Sequence, residues 1–251
     1  MTKVSKSTIV QAELMRPAQI RDALSQRSLV YIPIGATEFH QEHLPIGLDT
    51  LNAHGLTCLT ASNNGGIVLP PLYIGTGGGH KMYPWTIMMD TPEEITLILE
   101  KTLDRLNDFE IEVAVIFSGH FAPEQLELID FVAKKWNASG KELKTIALGI
   151  NMHINHPILP DHAGIFETTV LSHFHPDSID IGALPDIEEY PVENPDEDPY
   201  GTQRHDPDHV LWGIFGPDPR NFDPEIAESL VQSLCDAIEV EVSKAFKQIN
   251  T

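Results

Sequence analysis

The chain has 251 residues, 41% of them hydrophobic, enough to bury a full core, and it carries a formal net charge of −21. Such a charge excludes a phosphate-backbone partner, which needs clustered Lys and Arg, and docking on anionic membranes. Cys58 and Cys235 make no disulfide framework and no stretch has the apolar length of a signal core or a membrane span, so a single domain over residues 1–251, cytoplasmic, with neither nucleic acid nor membrane as partner, is expected.

In chain order, the unbroken apolar run Leu29–Ile34 predicts a buried strand and Asp49–Ala61 a helix. Ile67–Ile74 is a strand interrupted by proline. Thr91–Asn107 is a helix with Thr91 as its cap, Pro92 at the first helical position and Glu94 closing a capping box. A strand at Val113–Phe117, a helix at Pro123–Trp136, a strand at Thr145–Ile150 and a helix at Gly164–His175 follow. Asp223, with Pro224 behind it, opens a terminal helix whose Ile226, Leu230, Leu234 and Ile238 share one face. This alternation implies βαβ crossovers and a mostly parallel sheet covered on both faces. From Pro185 to His209, acidic residues and prolines interleave; too little apolar surface is available there for independent folding, and a solvated acidic loop is expected.

Chemistry concentrates just past the strands. The segment Gly35-Ala36-Thr37-Glu38-Phe39-His40 leaves the carboxyl end of the first strand, where open α/β sheets place ligands, and Asp49 follows at the next helix. Ser118-Gly119-His120 leaves the Val113–Phe117 strand, bringing His120 to the same edge. Gly77-Gly78-Gly79-His80 lacks the Gly-Lys-Ser/Thr of a phosphate loop and suits close backbone approach to a ligand instead. Asp161-His162 precedes a helix from whose first turns Glu167 can point back toward the same edge. His43 fits a supporting role behind a ligand. His54, His80, His153, His156, His173, His175, His205 and His209 lack acidic partners in such an order and fit surface, packing or loop positions, while Met88, Met89 and Trp136 fit core or interface.

Together these segments resemble the creatininase family, the creatinine amidohydrolase-like metal hydrolases. The matching stretches are Pro33-Ile34-Gly35-Ala36-Thr37-Glu38 through His40, His43-Leu44-Pro45 and Asp49, then Gly77-Gly78-Gly79 leading to Tyr83-Pro84-Trp85-Thr86, Ser118-Gly119-His120, and His162-Ala163-Gly164 leading to Phe166-Glu167-Thr168. The resemblance implies a three-layer α/β/α sandwich around a mostly parallel central sheet, often in a homohexamer. It also implies two divalent metal ions, zinc first, with manganese or iron as alternatives. Carried over by position, Glu38 binds one ion, His40 the other, Asp49 bridges both and His120 completes the ligand set of the first ion. Three departures stand out. Creatininase proper has Tyr-Glu after the histidine matching His120, and that Glu binds the second metal; here the run is Phe121-Ala122-Pro123-Glu124, so Glu167 is the preferred replacement and Glu124 the runner-up. Creatininase also has a Trp where this chain reads Ile158-Leu159-Pro160, and Trp85 stands where the family has Gly.

The implied reaction is hydrolysis of a non-peptide C–N bond in a small cyclic amide or amidine. A metal-activated water attacks, His162 beside Asp161 supplies the proton to the leaving nitrogen, and Gly78, Gly79, Trp85 and Phe121 contact the small-molecule substrate. The alternatives are a metallopeptidase-like relative acting on a short peptide and a non-catalytic binding protein on the same fold.

Overall fold

The computed structural model describes residues 9–78, 82–89, 91–191 and 206–249. Its centre is the parallel sheet in the order β2-β1-β4-β5, built from β1 (Leu29–Gly35), β2 (Ile67–Val68), β4 (Val113–Ser118) and β5 (Lys144–Gly149), with β3 (Leu72–Tyr73) pairing the end of β1. The proline-interrupted strand is thus two short strands, one at each end of the same edge of β1, pairing Val30 with Ile67 and Ile34 with Leu72. Pro70 and Pro71 cannot donate to a ladder, which explains the gap between them.

Strand side chains alternate between two cores. Val30, Ile32, Ile34, Ala114 and Ile116 face a core shared with α3 (Pro92–Asp108) and α4 (Pro123–Asn137), against which α1 (Pro17–Gln26) also packs. Leu29, Tyr31, Val113, Val115 and Phe117 face the other core, shared with α2 (Leu48–Asn64), α5 (Ile165–Phe174) and α6 (Ala227–Ile249). Helices on both faces of a parallel sheet make the expected three-layer α/β/α sandwich.

The differences from the sequence reading lie at element ends and in α1. That helix was not anticipated; its signal is Pro17 at the first position and Ile20, Ala23 and Leu24 on the face packed against the core. The capping box at α3 does not form: the Thr91 hydroxyl bonds the Glu94 carboxylate, and the cap side chain makes no bond to the helix backbone. The terminal helix opens with a 3-10 turn, Pro224–Ile226, capped by Asp223, before α6 begins; Leu230, Leu234 and Ile238 are buried as expected. Of the acidic loop expected at 185–209, residues 192–205 lie outside the described residues, as does Gly79. Among the described residues no helix is long and apolar enough to cross a membrane.

β1 and β4 run in register to Ile34 beside Ser118, so the segments leaving them emerge side by side at the carboxyl edge of the sheet. The start of α2 packs directly on that edge. An added Cβ at Gly35 would meet the Asp49 Cβ at 2.7 Å, and one at Gly119 would meet the Asp49 carbonyl oxygen at 1.9 Å. Only hydrogen side chains at both positions let Asp49 sit where it does.

Candidate metal centre and catalytic cleft

Four carboxyl groups are buried together at this edge, with Glu38 0%, Asp49 1%, Glu167 1% and Asp161 5% exposed. Burying carboxylates is costly unless they are paired or ligate a cation. Three imidazoles, those of His40, His120 and His162, stand among them.

Each side chain is aimed by its backbone. The Glu38 N–H donates to the Ile46 carbonyl at 2.8 Å, closing the loop between β1 and α2. His40 Nδ1 lies 3.0 Å from the Glu38 carbonyl oxygen. A carbonyl only accepts, so Nδ1 carries the proton and Nε2 presents a lone pair. That Nε2 faces Asp49 Oδ1 at 3.2 Å and Glu167 Oε2 at 3.4 Å, and as a buried atom it has no hydrogen-bond partner. A lone pair held against two carboxylate oxygens calls for a cation between them.

On the other side of Asp49, His120 Nδ1 lies 2.9 Å from Glu38 Oε2 and 3.4 Å from Asp49 Oδ2. The Ala36 N–H donates to that Oδ2 at 3.2 Å, and Ser118 Oγ donates to the His120 carbonyl at 2.5 Å, fixing both partners. The donors fall into overlapping sets, Glu38-Asp49-His120 and His40-Asp49-Glu167, within each of which the ligand-type atoms lie within 4.8 Å of one another. A further set, Glu38-His40-His162, spans the cleft. Oxygen and imidazole donors in this mixture fit zinc, manganese or iron, so the residues present fit a divalent cation.

The electrostatics agree. Burial opposes charge on Asp49, but His40 and His120 outweigh it and hold its carboxyl below the usual range. Burial pushes Glu167 up to about 8, with the Asp49 and Asp161 charges adding to the rise and His40 opposing it. For His40, burial works against protonation, yet the Glu167 and Asp49 charges raise it overall. A cation bound among these groups replaces the protons they otherwise share.

The remaining expected residues take distinct places. Asp161 accepts N–H bonds from Gly164 (3.2 Å), Phe166 (2.8 Å) and Glu167 (3.3 Å), so its carboxylate caps the start of α5, and burial pushes it up to about 7. His162 contacts Glu38 Oε1 through Nε2 and Glu167 Oε2 through Nδ1, both at 4.0 Å. Glu167 accepts from the Ala163 N–H at 2.6 Å. Between them Ala163, at φ 54, takes a left-handed turn that swings His162 and Glu167 toward one another. Glu124 is drawn elsewhere: it accepts the Gly78 N–H at 3.2 Å and packs on Gly77, so it anchors the glycine loop, and that amide is engaged by protein. His43 is buried behind the site, 3.5 Å from Thr168 Oγ1, and burial lowers it to about 3, keeping it neutral.

A cavity of about 330 Å³ opens over the centre, lined by His120, Asp161, His162 and Glu167 together with Gly78, Phe121, Ala122, Pro123, Pro160 and Phe215. Trp85, expected at its wall, is 80% exposed at φ 58 and is absent from this lining: the left-handed turn at Trp85 carries its ring into solvent. Phe215 was missed. It lies 95 residues from His120 along the chain and no periodic pattern marks it, although the flanking Gly213 and Gly216, both at positive φ, signal a tightly folded strap.

Comparison with known proteins places these observations. The creatininase (creatinine amidohydrolase) family profile matches residues 13–241. A mycofactocin precursor peptide peptidase from Mycolicibacterium smegmatis is 26% identical over 165 residues, 63% of this chain and 63% of its own length. The creatinine amidohydrolase of Pseudomonas putida is 24% identical over 204 residues, 73% of this chain and 78% of its own length. A zinc–zinc form of a mutant creatininase shares the fold at a TM-score of 0.75 and 19% identity, with 96% of this chain and 99% of that one covered. The match over nearly the whole chain, on a fold that gathers metal-ligand side chains at the sheet edge, makes this chain a member of the creatininase family of metal-dependent amidohydrolases.

Proposed function

We propose that the chain is a two-metal amidohydrolase that cleaves a non-peptide C–N bond in a small cyclic amide or amidine. The observation that carries this reading is the division of Asp49: Oδ1 faces His40, whose Nε2 also meets Glu167, while Oδ2 faces His120, whose Nδ1 also meets Glu38. A single carboxylate shared between two donor sets suits two cations, with Glu38, Asp49 and His120 holding one and His40, Asp49 and Glu167 the other. Bound divalent ions lower the pKa of a water toward neutrality and polarise a carbonyl.

The chain's own residues do the rest. His162, lining the cavity beside both donor sets, hands a proton to the leaving nitrogen, taking over the one released by the attacking water. Asp161 acts on His162 at one remove, by fixing the start of α5. The cavity of about 330 Å³ suits a small molecule, with Phe121, Pro123, Pro160 and Phe215 as apolar walls beside the polar centre. A short peptide is the second reading, favoured by Ala122, whose small side chain leaves the cleft wall open, and by the likeness to a peptidase. Assembly as a homo-oligomer, a hexamer by family resemblance, belongs to the same proposal.

The test is elemental analysis of the zinc- or manganese-reconstituted chain, followed by steady-state kinetics on cyclic ureides, lactams, creatinine and a short peptide, with His162→Ala beside the wild type. Close to two ions per chain and turnover of a cyclic amide that His162→Ala abolishes are expected, with creatinine poor. Absence of bound metal after reconstitution, or turnover of the peptide alone, defeats the reading.

A further inference from the structure

Outside the metal donors, one segment is pinned to the cleft more firmly than its sequence suggests. Gln41, buried at φ 59, donates from Nε2 to the carbonyls of Val210 (3.2 Å) and Trp212 (2.7 Å). Three residues past Trp212, the strap forms a backbone bridge with the proton donor itself: the His162 N–H donates to the Phe215 carbonyl at 3.0 Å and the Phe215 N–H to the His162 carbonyl at 2.8 Å. At its far end the Arg220 guanidinium, forked on the Asp218 carboxylate, donates to the carbonyls of Pro185 and Tyr190, each at 2.7 Å. Gly216, at φ 136, sits where an added Cβ would meet the Asp161 Cβ at 2.5 Å, so the strap presses onto the residue that caps α5.

The product of this anchoring is the position of one ring. Phe215 lines the cavity with its centroid 5.1 Å from that of His162 at 37°, and Phe121 lines the same cavity. We infer that Phe215 is the specificity-determining wall of the cleft: a flat aromatic face, held in place by the 210–220 strap, against which a planar conjugated ring or amide plane lies while its carbonyl reaches the metal centre. The inference rests on the reading of this cavity as the substrate site. It replaces the aromatic surface that Trp85, turned out to solvent, does not provide. Aromatic faces favour flat π-systems over saturated rings of the same size, so the substrate class narrows to planar, conjugated amides and imides.

The test measures binding, independently of turnover. The zinc-reconstituted full chain is titrated by calorimetry with benzamide, which is flat, and with cyclohexanecarboxamide, which has similar size but a puckered ring. Wild type and Phe215→Tyr are expected to prefer benzamide, and Phe215→Leu, which keeps bulk and loses the flat face, to weaken benzamide about fivefold with little change for the saturated amide. Zinc content measured on each variant reads whether the centre survives. A threefold or greater selective loss in Phe215→Leu at unchanged zinc supports the inference. Failure of wild type to bind benzamide, a smaller or unselective loss, or loss of zinc in Phe215→Leu overturns it. If the preference behaves as expected while no amide is hydrolysed, the reaction assigned above fails and the wall stands.

Discussion

Gly119→Ala tests whether the metal centre depends on close backbone packing behind Asp49. Gly119 needs no positive φ; it needs space. Its added Cβ would stand 1.9 Å from the Asp49 carbonyl oxygen and 2.6 Å from the carbonyl carbon. Ordinary C···O contacts begin at about 3.3 Å, so relief demands a relative shift of about 1.4 Å between the β4–α4 turn and the start of α2. Metal ligation tolerates about 0.2 Å. The Cβ is fixed rigidly to its own Cα and the carbonyl oxygen is backbone, both in buried segments, so neither can rotate away as a side-chain tip would. Overpacking of this kind costs about 1–3 kcal/mol, and each kcal/mol lowers Tm by about 2–4 °C in a chain of this size. The expected variant folds, melts several degrees lower and retains little zinc in either donor set, because Asp49 serves both. Gly182→Ala, whose Cβ would meet only Asp180 Oδ1 at 3.3 Å, is the control and should match wild type. Differential scanning calorimetry and elemental analysis read both effects. A Gly119→Ala protein with wild-type Tm and full zinc refutes the packing argument.

Further outcomes follow from the same geometry. Asp49→Asn should lower both metal occupancies while His40→Ala spares one, read by elemental analysis; equal losses in the two variants contradict the sharing of Asp49 between donor sets. In the metal-free fold burial holds a proton on Glu167 up to about 8 against a reference value of 4.5, so its contribution to stability is full below the lower value and is lost as pH rises through the upper one. Zinc, which needs the carboxylate, should therefore bind about tenfold more tightly per pH unit for each proton released below pH 8, measured by chelator competition; a flat profile between pH 6 and 8 contradicts this. Burial pushes the Cys58 thiol up to about 12, leaving a thiolate fraction of about 10⁻⁴ at pH 8, so Ellman's reagent should label it slowly until denaturant is added; one fast equivalent in the native protein goes against the burial. Light scattering should give a mass near six times the 27.9 kDa chain, and a monomer mass across micromolar concentrations removes the hexamer.

Much of the architecture is determined locally. Continuous apolar runs at Leu29–Gly35 and Val113–Ser118 are too short for a buried helix and read as strands buried on both faces, and the period-3.6 stripe of Leu230, Leu234 and Ile238 reads as a helix lying on a core. The order Glu38, His40, Asp49, His120, Glu167 is legible for the same reason: each follows a strand end or opens a helix, and a parallel sheet gathers all such positions at one edge.

What sequence alone leaves open is decided by contacts between segments distant along the chain. Whether Glu124 or Glu167 faces Asp49 turns on which carboxylate the Gly78 amide captures and on the left-handed turn at Ala163, neither of which has a local pattern. The outward turn of Trp85 and the inward turn of Phe215 likewise depend on backbone φ and on the long-range bonds from Gln41 and to His162. Sequence by itself determined β1, β4 and β5, the helices α2 to α6 and the edge where the chemistry collects, because periodicity and strand ends are short-range properties. Only the tertiary structure decided which side chains meet there, because the direction of a buried side chain is set by the partners that fold against it.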